Sequence, residues 1–375
     1  MLLAQSNLTL RGGAELTILK IAEHYNPIIY TAEYDRNKTY KEFSEFDIRI
    51  ISKGRFSSLM PYSRASQGLD YGLAFYNIRI REDYDIINAH LGPSHWIRNN
   101  NERVLWHCHT PLRDIYDLYD FRMSLRKPYK RPLYALGAKF VRRLDQKVVK
   151  KIEQIVTNGP NTLSRIKKYY NRDAFIVGSG VDSSLYRDDG DSKYFFYPSR
   201  FSPNKRQEYA IRAFQLFSRK MKGYRLILAG SLSSDPFYTS YYRRIVALSK
   251  KTGNIKILTD VPEKQLIDLY SRSTAVLYSP LNEDLGVVPL QAMASGKVII
   301  SVNEGGPKDT IKNGKTGFLV NSEAEMATRM LMVVNDSSLK ERIGKAGRYE
   351  ARKRFSWDAF LKRYDAAIKR MPKNA

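Results

Sequence analysis

Short β-rich runs alternate with helix-length amphipathic segments along almost the whole chain, and this alternation constrains the fold more than any other feature. Parallel strands need a crossover of a dozen or more residues between them, usually a helix, so strand–helix repetition predicts an α/β architecture with parallel sheets. One series of strand-like runs comprises 28–31 (IIYT), 46–51 (FDIRII), 84–90 (YDIINAH), 103–110 (RVLWHCHT) and 154–157 (QIVT). A second begins at 194–200 (YFFYPSR) and continues through 224–229 (YRLILA), 255–259 (IKILT), 275–280 (AVLYSP), 298–301 (VIIS) and 317–320 (GFLV). Between the two series the polar, turn-forming YRDDGDSK (186–193) reads as a linker. A length of 375 residues is long for one core and comfortable for two. Two Rossmann-like domains are therefore expected, at 1–190 and 191–354, followed by a last helix in 355–375 whose Phe360, Tyr364 and Ile368 recur at helical intervals.

Open parallel sheets bind ligands at the carboxyl ends of their strands, and two such sheets facing each other make a cleft. Residues just after strands are thus the ones to examine. Arg200 ends YFFYPSR and Lys205 follows at the start of the next helix, where a guanidinium fork and an ammonium point charge suit a diphosphate. After AVLYSP come Glu283, Leu285, Gly286 and Val287, with Pro289 in the first helical turn and Gly296 where the helix needs a left-handed terminus. Free amides near Gly286 and Val287 point at an anion. A further glycine pair, Gly12 and Gly13, precedes a helix expected from Ala14; it lets a backbone approach a ligand closely but specifies none by itself.

Lys and Arg number 63 against 38 Asp and Glu, a formal charge of +25 that biases the surface toward polyanions. Much of it lies in 124–151, where ten basic residues and one acid, Asp145, are interleaved with aliphatic and aromatic side chains, as in helices that lie on anionic bilayers. A solvated basic face is the plain alternative, and nucleic acid is not expected as a partner. The single cysteine, Cys108, excludes an internal disulfide and fits a reducing compartment. The first residues lack a signal-sequence pattern and no run approaches the ~18 apolar residues of a membrane span, so a cytoplasmic location is expected, with membranes touched only at the surface. Four histidines, His90, His95, His107 and His109, fall close together, but no spacing matches a zinc site and no metal is expected. His107 and His109 share one strand face with Cys108 opposite, and His109, before Thr110 and Pro111, is expected to reach into the cleft as a hydrogen-bond donor. The DGD at 189–191 and the GSG at 178–180 read as turns.

In order along the chain, RGGAELTILKIAEHYNP, YDIINAH, LWHCHTPLRDIYD, RLDQKVVKKIEQIVTNG, RIKKYYNRDA, PSRFSPNKRQEYAIRAF, LNEDLGVVPLQAMASGKVI and EGGPKDTIKNGKTGFLV resemble the retaining glycosyltransferases of family 4. That resemblance implies the GT-B fold, with two Rossmann-like domains across a cleft and a C-terminal helix that crosses back to the first. It implies a metal-independent hexosyltransferase that takes its sugar from a nucleotide-sugar co-substrate, needs no cofactor, and retains the anomeric configuration. The HCHTPLRDIYD block and the basic segment after it are similar to mannosyltransferases of lipid-linked glycan and O-antigen assembly, implying GDP-mannose, or otherwise a UDP-sugar, as donor and a glycan or lipid-linked acceptor. By the same resemblance Arg200 and Lys205 bind the donor diphosphate with amides near Gly12, Gly13, Leu285, Gly286 and Val287, His109 and Glu283 hold hydroxyls of the sugar, and position 291 faces the ribose. Gln291 stands where the family has a glutamate, and GSGVD (178–182) replaces a proline-containing turn. A basic, non-catalytic membrane- or nucleic-acid-binding protein and a nucleotide-sugar epimerase on the same fold are the rival readings.

Overall fold

The computed structural model describes residues 1–51, 64–233 and 236–372, and the chain divides into two compact units, Met1–Gly178 with Phe360–Ala375, and Ser179–Ala359. The first unit is built on strands β1 (Leu2–Gln5), β2 (Ile28–Thr31), β3 (Ile48–Ile50), β4 (Ile87–His90), β5 (Val104–Cys108), β6 (Gln154–Thr157) and β7 (Phe175–Ile176). They pair in parallel in the order β3-β2-β1-β4-β5-β6-β7. The central strands β1, β4, β5 and β6 are buried along their whole length, as a sheet covered by helices on both faces requires. Phe75, Trp96, Trp106, Ile155 and Ile166 fill the core around them. Two strands have no counterpart in the sequence reading. Strand β1 is a run of three apolar residues at the chain start, too short to show a period, and β7 is a two-residue edge strand.

The second unit carries β8 (Tyr194–Pro198), β9 (Arg225–Gly230), β10 (Ile255–Thr259), β11 (Ala275–Tyr278), β12 (Val298–Val302) and β13 (Phe318–Val320), again all parallel, in the order β10-β9-β8-β11-β12-β13. Its core places Phe195, Phe214, Leu228 and Ile300 on one side of the sheet and Phe196, Tyr270, Leu290 and Met293 on the other. The polar segment 186–193, which reads as a linker, lies inside this unit, and the boundary falls earlier, after Gly178. Its aspartates are anchored rather than merely solvated. Asp188 and the Gly190 carbonyl take Lys297 Nζ at 2.5 and 2.6 Å, while Asp191 accepts from Thr274 at 2.6 Å and from Lys340 at 2.9 Å.

The last helix, Trp357–Lys369, joins the first unit from Phe360 onward. Phe360 and Tyr364 are buried, and the Tyr364 hydroxyl donates to Asn88 Oδ1 at 2.9 Å. Gln154 Nε2 donates to the Ala367 carbonyl at 2.6 Å. In both sheets the strand order reverses direction once, between β1 and β4 in the first and between β8 and β11 in the second. The crevice outside the carboxyl ends of the strands at such a reversal is where open α/β sheets take ligands.

Candidate functional site

In the second unit the reversal point lies between the loops that follow β8 and β11. The loop after β8 runs through Arg200, turns in a short 3-10 segment, Pro203–Lys205, and enters the helix Gln207–Lys220 through Arg206 in the left-handed conformation. Lys205 thus ends the turn ahead of the helix instead of opening the helix. Gln207 holds the loop from inside, its Nε2 donating to the carbonyl of Arg200 at 2.9 Å. Arg206 ties the two loops together, donating to the carbonyls of Ser279 at 2.7 Å and Pro280 at 3.0 Å and to Glu304 at 2.9 Å. The Leu281 amide completes the tie by donating to the Asn204 carbonyl at 2.7 Å.

This scaffold brings Lys205 and Glu283 together. The ammonium donates to Glu283 Oε2, with the two side chains only 13% and 16% exposed, and it lies over the Tyr278 ring at 5.8 Å. Burial, followed by the nearby Glu283 charge, pushes the Tyr278 hydroxyl well above its ordinary range, so it remains a neutral donor. Past Glu283, Gly286 adopts φ 83° and caps the helix Val287–Ala294 without a side-chain hydrogen bond. That leaves the first amides of the helix and the positive end of its dipole facing the same loop. Gly296, at φ 68°, ends the helix as expected. Arg200 is exposed and holds no ion pair among the described residues.

A third loop, after β12, belongs to this site although the sequence reading gave it no role. Gly305 and Gly306 lie directly on 282–285: a Cβ on Gly305 would stand 2.4 Å from the Glu283 carbonyl oxygen, and one on Gly306 would stand 2.3 Å from the Leu285 Cα. The Gly306 amide donates to the Glu283 carbonyl at 2.7 Å. Any side chain here would push the Glu283 loop off its seat. Applying the strand-end rule to β12, which runs directly into NEGGP (303–307), is the signal that identifies this loop.

Position 291 lies in the body of the helix, where Gln291 Oε1 accepts a 2.8 Å hydrogen bond from Tyr270. Tyr270 is fully buried, which pushes its hydroxyl well above the ordinary range. That bond uses one of the two lone pairs of the amide oxygen; beside it Gln291 carries an NH2 donor group, whereas a glutamate would carry a second acceptor oxygen.

In the first unit Gly12 caps the helix Gly13–Tyr25 in an extended conformation, close to the start expected at Ala14. A Cβ on Gly12 would stand 2.6 Å from Glu15 Oε2, so a carboxylate of the helix's own first turn already lies at this N-terminus. His109 follows β5 and is 6% exposed. Its Nε2 lies 3.1 Å from His90 Nδ1, and its carbonyl accepts from Asn158 at 3.3 Å. Burial lowers all three neighbouring histidines: His90 and His109 fall well below the ordinary imidazole range and His107 falls to about 4. These rings are neutral at physiological pH and can donate and accept without carrying charge. Their nearest ring nitrogens lie within 4.8 Å of one another, a grouping that the sequence spacing did not show.

Residues 124–151 include the helix Arg131–Val149. Its inner face is fixed by Asp145, a fully buried carboxylate that accepts from His95 and Trp96 at 2.8 Å, Tyr116 at 3.0 Å and Tyr170 at 2.7 Å. Its outer face is not polar throughout: Leu133, Leu136 and Phe140 are 69%, 68% and 62% exposed, and Lys139, Arg143 and Lys147 are exposed on the same side. Among the described residues no helix is long and apolar enough to cross a membrane.

Residues 185–350, which contain the whole second-unit site, match the family model Glycosyl transferases group 1. Across nearly its full length the chain is similar to the Alpha-1,3/1,6-mannosyltransferase ALG2 of Mus musculus, at 25% identity over 93% of this chain and 91% of that protein. Two solved structures share the fold. Sucrose-phosphate synthase from Thermosynechococcus elongatus has a TM-score of 0.77 at 15% identity, covering 98% of both chains. HepE of Anabaena in complex with UDP and glucose has a TM-score of 0.73 at 16% identity, covering 98% of this chain and 99% of that one. The architecture of two parallel Rossmann-like sheets is therefore the GT-B type, and the rival readings as a binding protein or an epimerase gain no support.

Proposed function

Since residues 185–350 form a glycosyl transferases group 1 domain, we propose that this glycosyltransferase moves mannose from a nucleotide-sugar donor to a glycan or lipid-linked acceptor, with retention of configuration. The observation that carries the reading is the cluster at the second sheet's reversal point, where Lys205, Glu283 and the uncapped helix start at Gly286 meet. Each part answers a need of the reaction. Breaking a sugar–phosphate bond leaves positive charge on the sugar and extra negative charge on the diphosphate. Lys205, Arg200 and the amides of Gly286 and Val287 supply fixed positive charge and donors for the departing diphosphate, the task a divalent metal performs elsewhere, so the reaction is metal-independent. Leu285 positions that backbone by being buried beneath it. Glu283 is an acceptor for sugar hydroxyls, His109 a neutral hydrogen-bond partner for the sugar, Gln291 a contact for the nucleotide ribose, and Gly12 and Gly13 a close backbone approach to the donor.

Mannose and a lipid-linked glycan are favoured by the mannosyltransferase named among the relatives; GDP-mannose is accordingly the donor to test first, with UDP-sugars next. The exposed Leu133, Leu136 and Phe140, set among Lys139, Arg143 and Lys147, favour a peripheral contact with an anionic membrane surface on its cytoplasmic face. Removing one preorganised donor from such a site costs about 100- to 1,000-fold in rate. Arg200→Ala and Lys205→Ala are each expected to lower turnover by that factor. Near-normal turnover in both variants overturns the assignment, and activity that EDTA abolishes and a divalent ion restores overturns the metal-independent mechanism.

A further inference from the structure

Strands β4 and β5 pair with His90 opposite His107, and His109 follows two residues later, so three buried imidazoles gather at the carboxyl end of the first sheet. Their spacing invites a metal, but their ring planes do not. His107 and His109 stack with centroids 3.9 Å apart and planes 16° from parallel. Imidazole lone pairs lie in the ring plane, so two stacked rings aim them side by side instead of at one point. The cluster is better described by where its protons sit.

Asn158 Nδ2 donates to the His109 carbonyl at 3.3 Å, and a carbonyl can only accept, so Asn158 turns its Oδ1 to His107. The 2.9 Å contact there is therefore His107 Nε2–H donating to Asn158. Between His90 Nδ1 and His109 Nε2, at 3.1 Å, either ring could donate. If His109 donated from Nε2, a neutral His90 would carry its proton on Nε2, which is buried without a partner among the described residues. If His90 donates from Nδ1, only a lone pair is left there. Orphaned buried N–H groups are rarer than under-satisfied acceptors, so the second arrangement is the stable one.

We propose that His90 is a positioning residue whose Nδ1–H, donated to His109 Nε2, fixes His109 in the Nδ1–H form and so makes it a hydrogen-bond donor toward a sugar hydroxyl. The two outermost nitrogens of the pair are then His90 Nε2, a bare acceptor, and His109 Nδ1–H, the ring atom left for a ligand. The tautomer follows from the contacts alone, whereas its use on a sugar rests on the reading of His109 under the proposed function.

The test has two arms on the full chain. Long-range proton–nitrogen correlation spectra of protein labelled with 15N-histidine report the tautomer of each ring, with His109 identified by its loss in His109→Gln. Nδ1–H with an acceptor-type Nε2 on His109 is expected, and a protonated Nε2 overturns the proposal whatever the variants do. Kinetics then compare His90→Asn, whose amide can still donate where Nδ1 stood, with the isosteric His90→Asp, whose carboxylate can only accept and reverses the tautomer. His90→Asn is expected to keep kcat within about threefold, and His90→Asp to lose at least ~10-fold in kcat with little change in donor KM. Equal losses in the two variants mean that His90 only packs, and overturn its positioning role. The expected spectrum together with unaltered kcat in a folded His90→Asp overturns the sugar-contact clause and leaves the tautomer standing.

Discussion

On the proposed function, replacing Lys205 removes two things at once, a donor toward the diphosphate and the counter-charge of Glu283, and the two effects can be separated. Both side chains are largely withdrawn from water, at 13% and 16% exposure. Removing one partner of a fully buried pair costs about 3–5 kcal/mol, because the remaining charge is left uncompensated. This pair keeps an edge in solvent, and about 2 kcal/mol is the corresponding cost for Lys205→Met. In a unit of this size that lowers Tm by about 4–8 °C. Making Glu283 neutral as well, in Lys205→Met with Glu283→Gln, removes the carboxylate charge that has lost its ammonium partner and is expected to restore most of the lost stability while leaving turnover as low as in either single variant. Thermal unfolding of the four proteins gives the coupling, and donor turnover in the same samples gives the chemistry. A double variant as unstable as the sum of the singles would show that the two groups do not compensate one another. Recovery of activity in the double variant would show that the loss in Lys205→Met was structural, and would remove Lys205 from the diphosphate.

The loop after β12 gives a second expectation: Gly306→Ala, whose Cβ meets the backbone of Leu285, should lower donor affinity and turnover together without changing residues that touch the donor, as steady-state kinetics and donor titration can determine. Acid should destabilise the first unit in two windows. Between pH 6.5 and about 4 the unfolded chain binds a proton at His107 that the buried folded ring refuses, so stability falls as pH drops through that range. Asp145 adds a lower window. Burial alone would raise its pKa, but the His95 charge and the hydrogen bonds from His95, Trp96 and Tyr170 outweigh that and hold it below the ordinary value. Its contribution is therefore present above the unfolded value near 3.8 and lost as pH falls through the folded one, and urea unfolding of Asp145→Asn across pH should lack this lower step. On the outer face of the helix Arg131–Val149, Leu136→Asp with Phe140→Asp should reduce sedimentation with anionic liposomes at low salt while leaving thermal stability within about 0.5 kcal/mol, as expected for exposed positions.

Much of the fold was legible because parallel sheets buried on both faces demand continuous apolar runs, and nearly every such run became a strand. Strand β1 escaped because three apolar residues carry no periodicity, yet it occupies the middle of its sheet and creates the reversal point beside Gly12 and Gly13. The strand-end rule singles out Arg200, Lys205, Glu283, Gly286 and His109, all of which lie in or beside loops that follow strands. It could not find what those residues lean on. Arg206, Tyr270 and Asn158 act through hydrogen bonds between segments far apart in the chain, which sequence spacing does not encode. Segment 186–193 is irregular and its aspartates are exposed, as a turn-forming sequence predicts, and the fold adds Lys297, Thr274 and Lys340 as partners that sequence spacing does not encode. At position 291, where the resemblance implies a ribose contact, the structure adds the Tyr270 hydroxyl that donates to the Gln291 oxygen.

The central claim, transfer of a sugar from a nucleotide donor by the second-unit site, is tested most directly by incubating the full chain with GDP-mannose, or a UDP-sugar in parallel, and following the anomeric signals of the released or transferred sugar by NMR. Donor consumption with the new bond in the donor's own anomeric configuration, lost in Arg200→Ala and Lys205→Ala, is the expected result. Inverted product, or donor consumption that persists undiminished in both variants, contradicts it.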